Sequence, residues 1–118
     1  MGLGLGRQLA RLVTGDSVRV DWVDHLMLTV RDVEATCDFY ARVLGMEVEE
    51  FEGGRHALKF GRQKINLHQS GAEFGPKAGK PTSGSGDFCL ITSVLLERVV
   101  EPVRLCGVES SKYPFRAP

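Results

Sequence analysis

Apolar and polar residues alternate through "DHLMLTVR", residues 24 to 31, with Leu26, Leu28 and Val30 on one side and His25, Met27 and Thr29 on the other. A period of two predicts a strand with two unlike faces. The period then changes. Val33, Cys37, Tyr40 and Leu44 follow at spacings of four, three and four, which draws one apolar stripe along a helix. Asp32 stands where an N-cap carboxylate accepts an orphan backbone N–H, and Glu34 stands in the first turn, where the helix dipole favours negative charge. Gly45 is the expected left-handed stop. "MEVEEF", "RHALKF" and "QKINLHQ" then read as three strands, joined by turns at "EGG" (52 to 54) and "GR" (61 and 62). The order over residues 24 to 69 is strand, helix, strand, strand, strand.

The pattern stops at Ser70. "SGAEFGPKAGKPTSGSG" has no periodicity and reads as a linker crossing between two halves of a fold. "DFCLITS" predicts another strand, and "VLLERVVEPVRLC" an apolar-striped helix stopped by Gly107. Pro102 is expected to kink or split that helix after about two turns. The two halves can be superposed: Asp24 on Asp87, Thr29 on Thr92, Gly45 on Gly107. Such a repeat predicts three more strands after Gly107, and "SSKYPFRAP" does not read as strands. The expected organisation is a disordered or targeting lead-in at 1–21 and one domain at 22–118. Within that domain, 22–69 is a first module, 70–86 a linker and 87–118 an incomplete second module.

Composition narrows the partners. Lysine plus arginine balance aspartate plus glutamate, 15 against 15, so no electrostatic case exists for nucleic acid or an anionic membrane. No apolar run has the length of a membrane span. Cys37, Cys89 and Cys106 form no CxxC pair and lie in apolar-patterned segments, which predicts free thiols acting as small hydrophobes in a reducing compartment. A cytoplasmic location is expected. The arginines at 7 and 11, with no acid before Asp16, leave a mitochondrial presequence open.

The candidate chemistry lies in "KINLHQS", residues 64 to 70. Ile65 and Leu67 take one face and Asn66 and His68 the other, so an amide and an imidazole share a strand face with no apolar residue between them. That face is either simply wet or the lining of a cup. His68 itself reads as a cup residue or as a solvated strand end, and His56, beside a turn, as surface.

"DHLMLTVRDVEATCDFYARVLGMEV", with the "DH" opening a strand and "FY…VLGM" spanning the helix end, resembles the vicinal oxygen chelate superfamily. This group contains glyoxalase I, extradiol dioxygenases and fosfomycin- and bleomycin-resistance proteins. The resemblance covers about residues 23 to 109. It implies an α+β fold of paired βαβββ modules, here one complete module and a truncated second, whose strands curl into a small-molecule cup. It implies a divalent ion in the metal-dependent members, acting as a Lewis acid in lyase or isomerase chemistry. By position, His25 matches the first-strand metal ligand, and His68 lies two residues past the usual fourth-strand ligand position, which falls on Asn66. Met27, Thr29, Asn66 and Phe88 are the expected cup lining, with Phe88 where a second histidine would stand. No catalytic residue is assigned. Zinc, nickel, iron or manganese, and no metal at all, stay open as cofactors. Expected partners are a small molecule and a possible homodimer. The alternative function is a metal-free binding domain of bleomycin-resistance type.

Overall fold

The computed structural model describes residues 17–109. The first module forms as its pattern predicts. Strand β1 is His25–Val30, helix α1 Val33–Leu44, and strands β2, β3 and β4 are Glu47–Phe51, Arg55–Phe60 and Gln63–Gln69. A second helix, α2, covers Leu96–Leu105. The strands make one mixed sheet in the order β1-β4-β3-β2. The β2–β3 and β3–β4 pairs are antiparallel hairpins, and β1 joins β4 in parallel across the α1 crossover.

Local chemistry fixes the helix ends. The Asp32 carboxylate accepts a hydrogen bond from the Ala35 N–H at 3.0 Å. Gly45 takes φ 67°, and its N–H reaches the Ala41 carbonyl at 3.1 Å. The Gln69 side chain ties the end of β4 to the start of α1: its Oε1 accepts from the Val33 N–H at 3.1 Å, and its Nε2 donates to the Arg31 carbonyl.

The core sits between the sheet and α1. Val30, Cys37, Met46, Leu58, Ile65 and Leu67 form it, with Leu28, Val33, Tyr40, Phe60 and Phe88 packed around them. In register, Leu26 and Leu28 lie beside Ile65 and Leu67, and Leu58 is opposite Ile65. One face of the sheet is therefore committed to the helix.

The second half departs from expectation. Residues 87 to 92 form no strand. A strand needs a neighbour to take its N–H and C=O groups, and this segment pairs with neither edge of the sheet, β1 or β2. Its Ile91 is fully exposed and Leu90 is 43% exposed. Helix α2 runs unbroken through Pro102 instead of splitting. It has no buried residue, so a backbone carbonyl freed by the proline can be met by water. Of the cysteines, all free, Cys37 is buried as expected, Cys106 is half-buried and Cys89 is exposed. Apart from residues 17–21, which are irregular and exposed, the expected lead-in lies outside the described residues, as do residues 110–118.

Candidate functional site

The face turned away from α1 carries the candidate chemistry, arranged in rows by strand register. One row runs Met27, Asn66, Ala57, Glu49 across β1, β4, β3 and β2. A second runs His25, Lys64, Lys59, Glu47. At the opposite end Thr29 pairs with His68, and Arg55 with Phe51. Met27, Thr29, Asn66 and His68 thus share the face, as strand parity predicts.

His68 is buried, with 1% of its surface exposed, and is no solvated strand end. The cover is Phe74, from the segment read as a linker. Its ring centroid lies 4.3 Å from that of His68, and the Arg55 guanidinium stands 4.4 Å from the same Phe74 ring. Under this cover, His68 Nε2 and Asn66 Oδ1 are buried and have no hydrogen-bond partner among the described residues. Buried polar atoms are nearly always paired, so two orphans two residues apart on one strand face mark a place where a partner is missing.

The basic groups are not equally engaged. Lys59 is held by Glu49 at 3.2 Å. Lys64 forms no ion pair among the described residues and stands 5.7 Å from the Phe51 ring. His56, expected at the surface, is half-buried and 3.8 Å from Glu50.

His25 stands apart from His68. Its register mate is Lys64, whereas His68 lies beside Thr29, four positions along. At about 3.3 Å per residue the two backbones are about 13 Å apart, too far to share one ion. Among the described residues no group of three His, Cys, Asp or Glu side chains could hold a metal. His25 is nonetheless oriented: its Nδ1 is 2.7 Å from Asp24 Oδ2. That hydrogen bond is the main reason the Asp24 carboxyl is held below its ordinary pKa. It also leaves His25 Nε2 as the outward nitrogen, the arrangement a carboxylate imposes on metal-ligating histidines.

Phe88 is the one expected lining residue that the fold moves elsewhere. It packs on the core and lines a cavity with Leu28, Val30, Thr36 and Tyr40, on the helix side of β1. Without a strand at 87 to 92 nothing carries it round to the other face. Phe74 and Arg55 were not singled out by sequence reasoning. The available signal was that Phe74 is the single aromatic residue in the Gly-, Ser- and Lys-rich stretch from 70 to 86.

A sequence model of the Glyoxalase/Bleomycin resistance protein/Dioxygenase superfamily matches residues 22–97. The chain belongs to this superfamily. Over 95 residues it is 47% identical to virulence protein STM3117 of Salmonella typhimurium, a match covering 80% of the chain and 66% of that protein. It is 56% identical over 69 residues to glyoxalase domain-containing protein RDO1 of Mycosarcoma maydis, covering 58% of the chain and 39% of that protein. The solved structure of an integron cassette protein from V. cholerae superposes with a TM-score of 0.80 at 45% identity, over 85% of this chain and 78% of that one. The chain thus spans about two thirds or less of the length of the curated relatives it matches.

Proposed function

We propose that this chain carries one wall of a small-molecule-binding cup of the glyoxalase-like kind. The observation that supports the reading is the buried imidazole of His68, unpaired at Nε2, beside the unpaired Asn66 Oδ1 on the sheet face opposite the helix. A ligand that donates to or accepts from these atoms would remove a desolvation cost of about 1–3 kcal/mol per group. The resemblance of "HALKFGRQKINLHQSGAEFGPKA" and "DFCLIT" to glyoxalase domain-containing protein 5 belongs to the same reading. So does a homodimer, in which a second copy would close the face that this chain leaves open.

The test is a small-molecule screen read by thermal stabilisation, on the chain and on His68→Ala, each with and without chelator. Stabilisation that needs His68 and ignores chelator supports the cup as a metal-free binding site. If no compound stabilises the chain in a His68-dependent way, the reading fails.

A metal-assisted lyase or isomerase is the second reading, favoured by the Asp24–His25 hydrogen bond. Bound there, a divalent ion would supply Lewis-acid stabilisation of developing negative charge on substrate oxygens. The described residues offer it His25 and, at that position, no second histidine. Among the described residues no group of three His, Cys, Asp or Glu side chains fits the ion. Stabilisation abolished by chelator and by His25→Ala would favour this reading over the first.

A further inference from the structure

We infer that the cup's ligand is a planar, conjugated carboxylate, and that Phe74 occupies the place of its ring until it binds. This rests on the reading of the sheet face as a ligand-binding cup. Phe74 packs against two groups: the His68 ring lies 4.3 Å away, tilted by 52°, and the Arg55 guanidinium lies over the phenyl ring at 4.4 Å. An imidazole and a guanidinium that both pack on one flat ring form a slot suited to a π system. The phenyl ring fills that slot and cannot hydrogen-bond, so it excludes water from His68 Nε2 while offering it nothing. A polar atom sealed by a residue that cannot pair with it gains free energy from an occupant that can.

The charge follows from the same strand. From His68 the open face continues through Asn66 to Lys64, two residues at a time along β4. Asn66 lies about 7 Å and Lys64 about 13 Å along the strand from His68, and the Lys64 side chain shortens the second gap by reaching to 5.7 Å from the Phe51 ring, the register mate of Arg55. Lys64 feels the charge of Asp24 but forms no close ion pair among the described residues, whereas Lys59 is held by Glu49. A ring in the slot would therefore direct its carboxylate towards the Asn66 amide and the Lys64 ammonium. The cover is also built to leave. It hangs from Gly71, at φ 85°, and Gly75 follows it directly. Gly71 is the freer hinge, its N–H held only by an exposed bond to Glu73 Oε2 at 2.9 Å, while Gly75 is restricted by the following Pro76.

Three probes of similar size separate the elements of the inference: benzoate, cyclohexanecarboxylate (same charge, not planar) and benzamide (planar, uncharged). Affinities are measured by NMR titration on the wild-type chain, Phe74→Ala, Phe74→Leu and Lys64→Met, following the His68 ring protons. Benzoate is expected to bind at least about tenfold tighter than either other probe, and to shift the His68 ring resonances. Emptying the slot in Phe74→Ala should tighten benzoate, because an internal competitor is gone. Phe74→Leu, which keeps a cover but no flat ring, should also bind benzoate more tightly than wild type if Phe74→Ala does not fold. Lys64→Met should erase the preference for benzoate over benzamide. Equal binding of benzoate and cyclohexanecarboxylate, or weaker benzoate binding by both Phe74 variants, overturns the inference and leaves the cup standing. If the general screen finds His68-dependent ligands and none is a planar carboxylate, the inference falls alone. If that screen finds none, the reading beneath it falls as well.

Discussion

A histidine sealed under an aromatic ring with one nitrogen unpaired lowers the stability of the fold by about 1–3 kcal/mol, which is a large share of the stability of a small domain. His68 is such a residue, and Asn66 Oδ1 beside it is another orphan. Replacing His68 with leucine, similar in volume and without polar atoms, is expected to raise the unfolding free energy in urea by about 1 kcal/mol. The same variant should lose all ligand-dependent stabilisation. A decrease in stability would mean that the imidazole already has a partner in solution. The thiols give a second residue-scale expectation. Burial, aided by the nearby Glu34, raises the Cys37 pKa, while Cys89 is exposed. Since the thiolate is the reactive form, iodoacetamide should modify Cys89 first and Cys37 last, as mass spectrometry of peptides will read. The sign for stability follows. The fold favours the neutral Cys37 thiol, so above the ordinary thiol pKa of about 8.5 the unfolded chain loses its proton first, and stability falls as pH rises. Cys37→Ser or Cys37→Ala should flatten that alkaline limb.

At the scale of the element, what was legible is what neighbours in sequence decide. Helix α1 was readable from Asp32, the 4-3-4 stripe and Gly45, because capping and amphipathicity are satisfied within a dozen residues. Asp32→Ala should cost about 1 kcal/mol of stability, and Gly45→Ala about the same, both read as loss of urea midpoint. Gly45 has no atom within 4 Å of where a Cβ would stand, so its cost is one of backbone conformation alone. The hairpins of β2, β3 and β4 were equally legible, since two turns hold their partners together. The strand expected at 87 to 92 was not, because its pattern states that it can lie in a sheet and says nothing of whether an edge is there to receive it. The linker misled in the other direction. Its composition predicts a crossing, yet it returns Phe74 over His68 and lays Gly86 against the Leu28 side chain.

Across the molecule, α1 covers one face of the sheet, and the other face is covered only in part, where Phe74 lies over His68. Helix α2 and the segment before it line an apolar groove with Val43, Leu44, Met46 and Phe60 while exposing Ile91, Leu95 and Leu105. Exposed apolar surface of this kind drives association. Sedimentation of the chain is expected to show concentration-dependent self-association that Ile91→Lys with Leu105→Lys suppresses. A monodisperse wild-type monomer at high concentration would contradict it. At low pH a smaller effect is expected. The Asp24 carboxyl is held down mainly by its hydrogen bond to His25, so its contribution is present above the ordinary carboxylate pKa and lost as pH falls through its lowered value. Asp24→Asn should shorten that acid limb slightly, the pair being exposed. Among the described residues no helix is long and apolar enough to cross a membrane.

Sequence by itself determined the βαβββ order, the helix caps, the turns and the parity that sets Met27, Thr29, Asn66 and His68 on one face, because each of these depends on residues a few positions apart. Only the tertiary structure decided that His25 and His68 lie four register steps apart, that Phe88 joins the core and that Phe74 closes over His68. Those are contacts between distant segments, and whether they form depends on which surfaces remain uncovered once the local elements have folded.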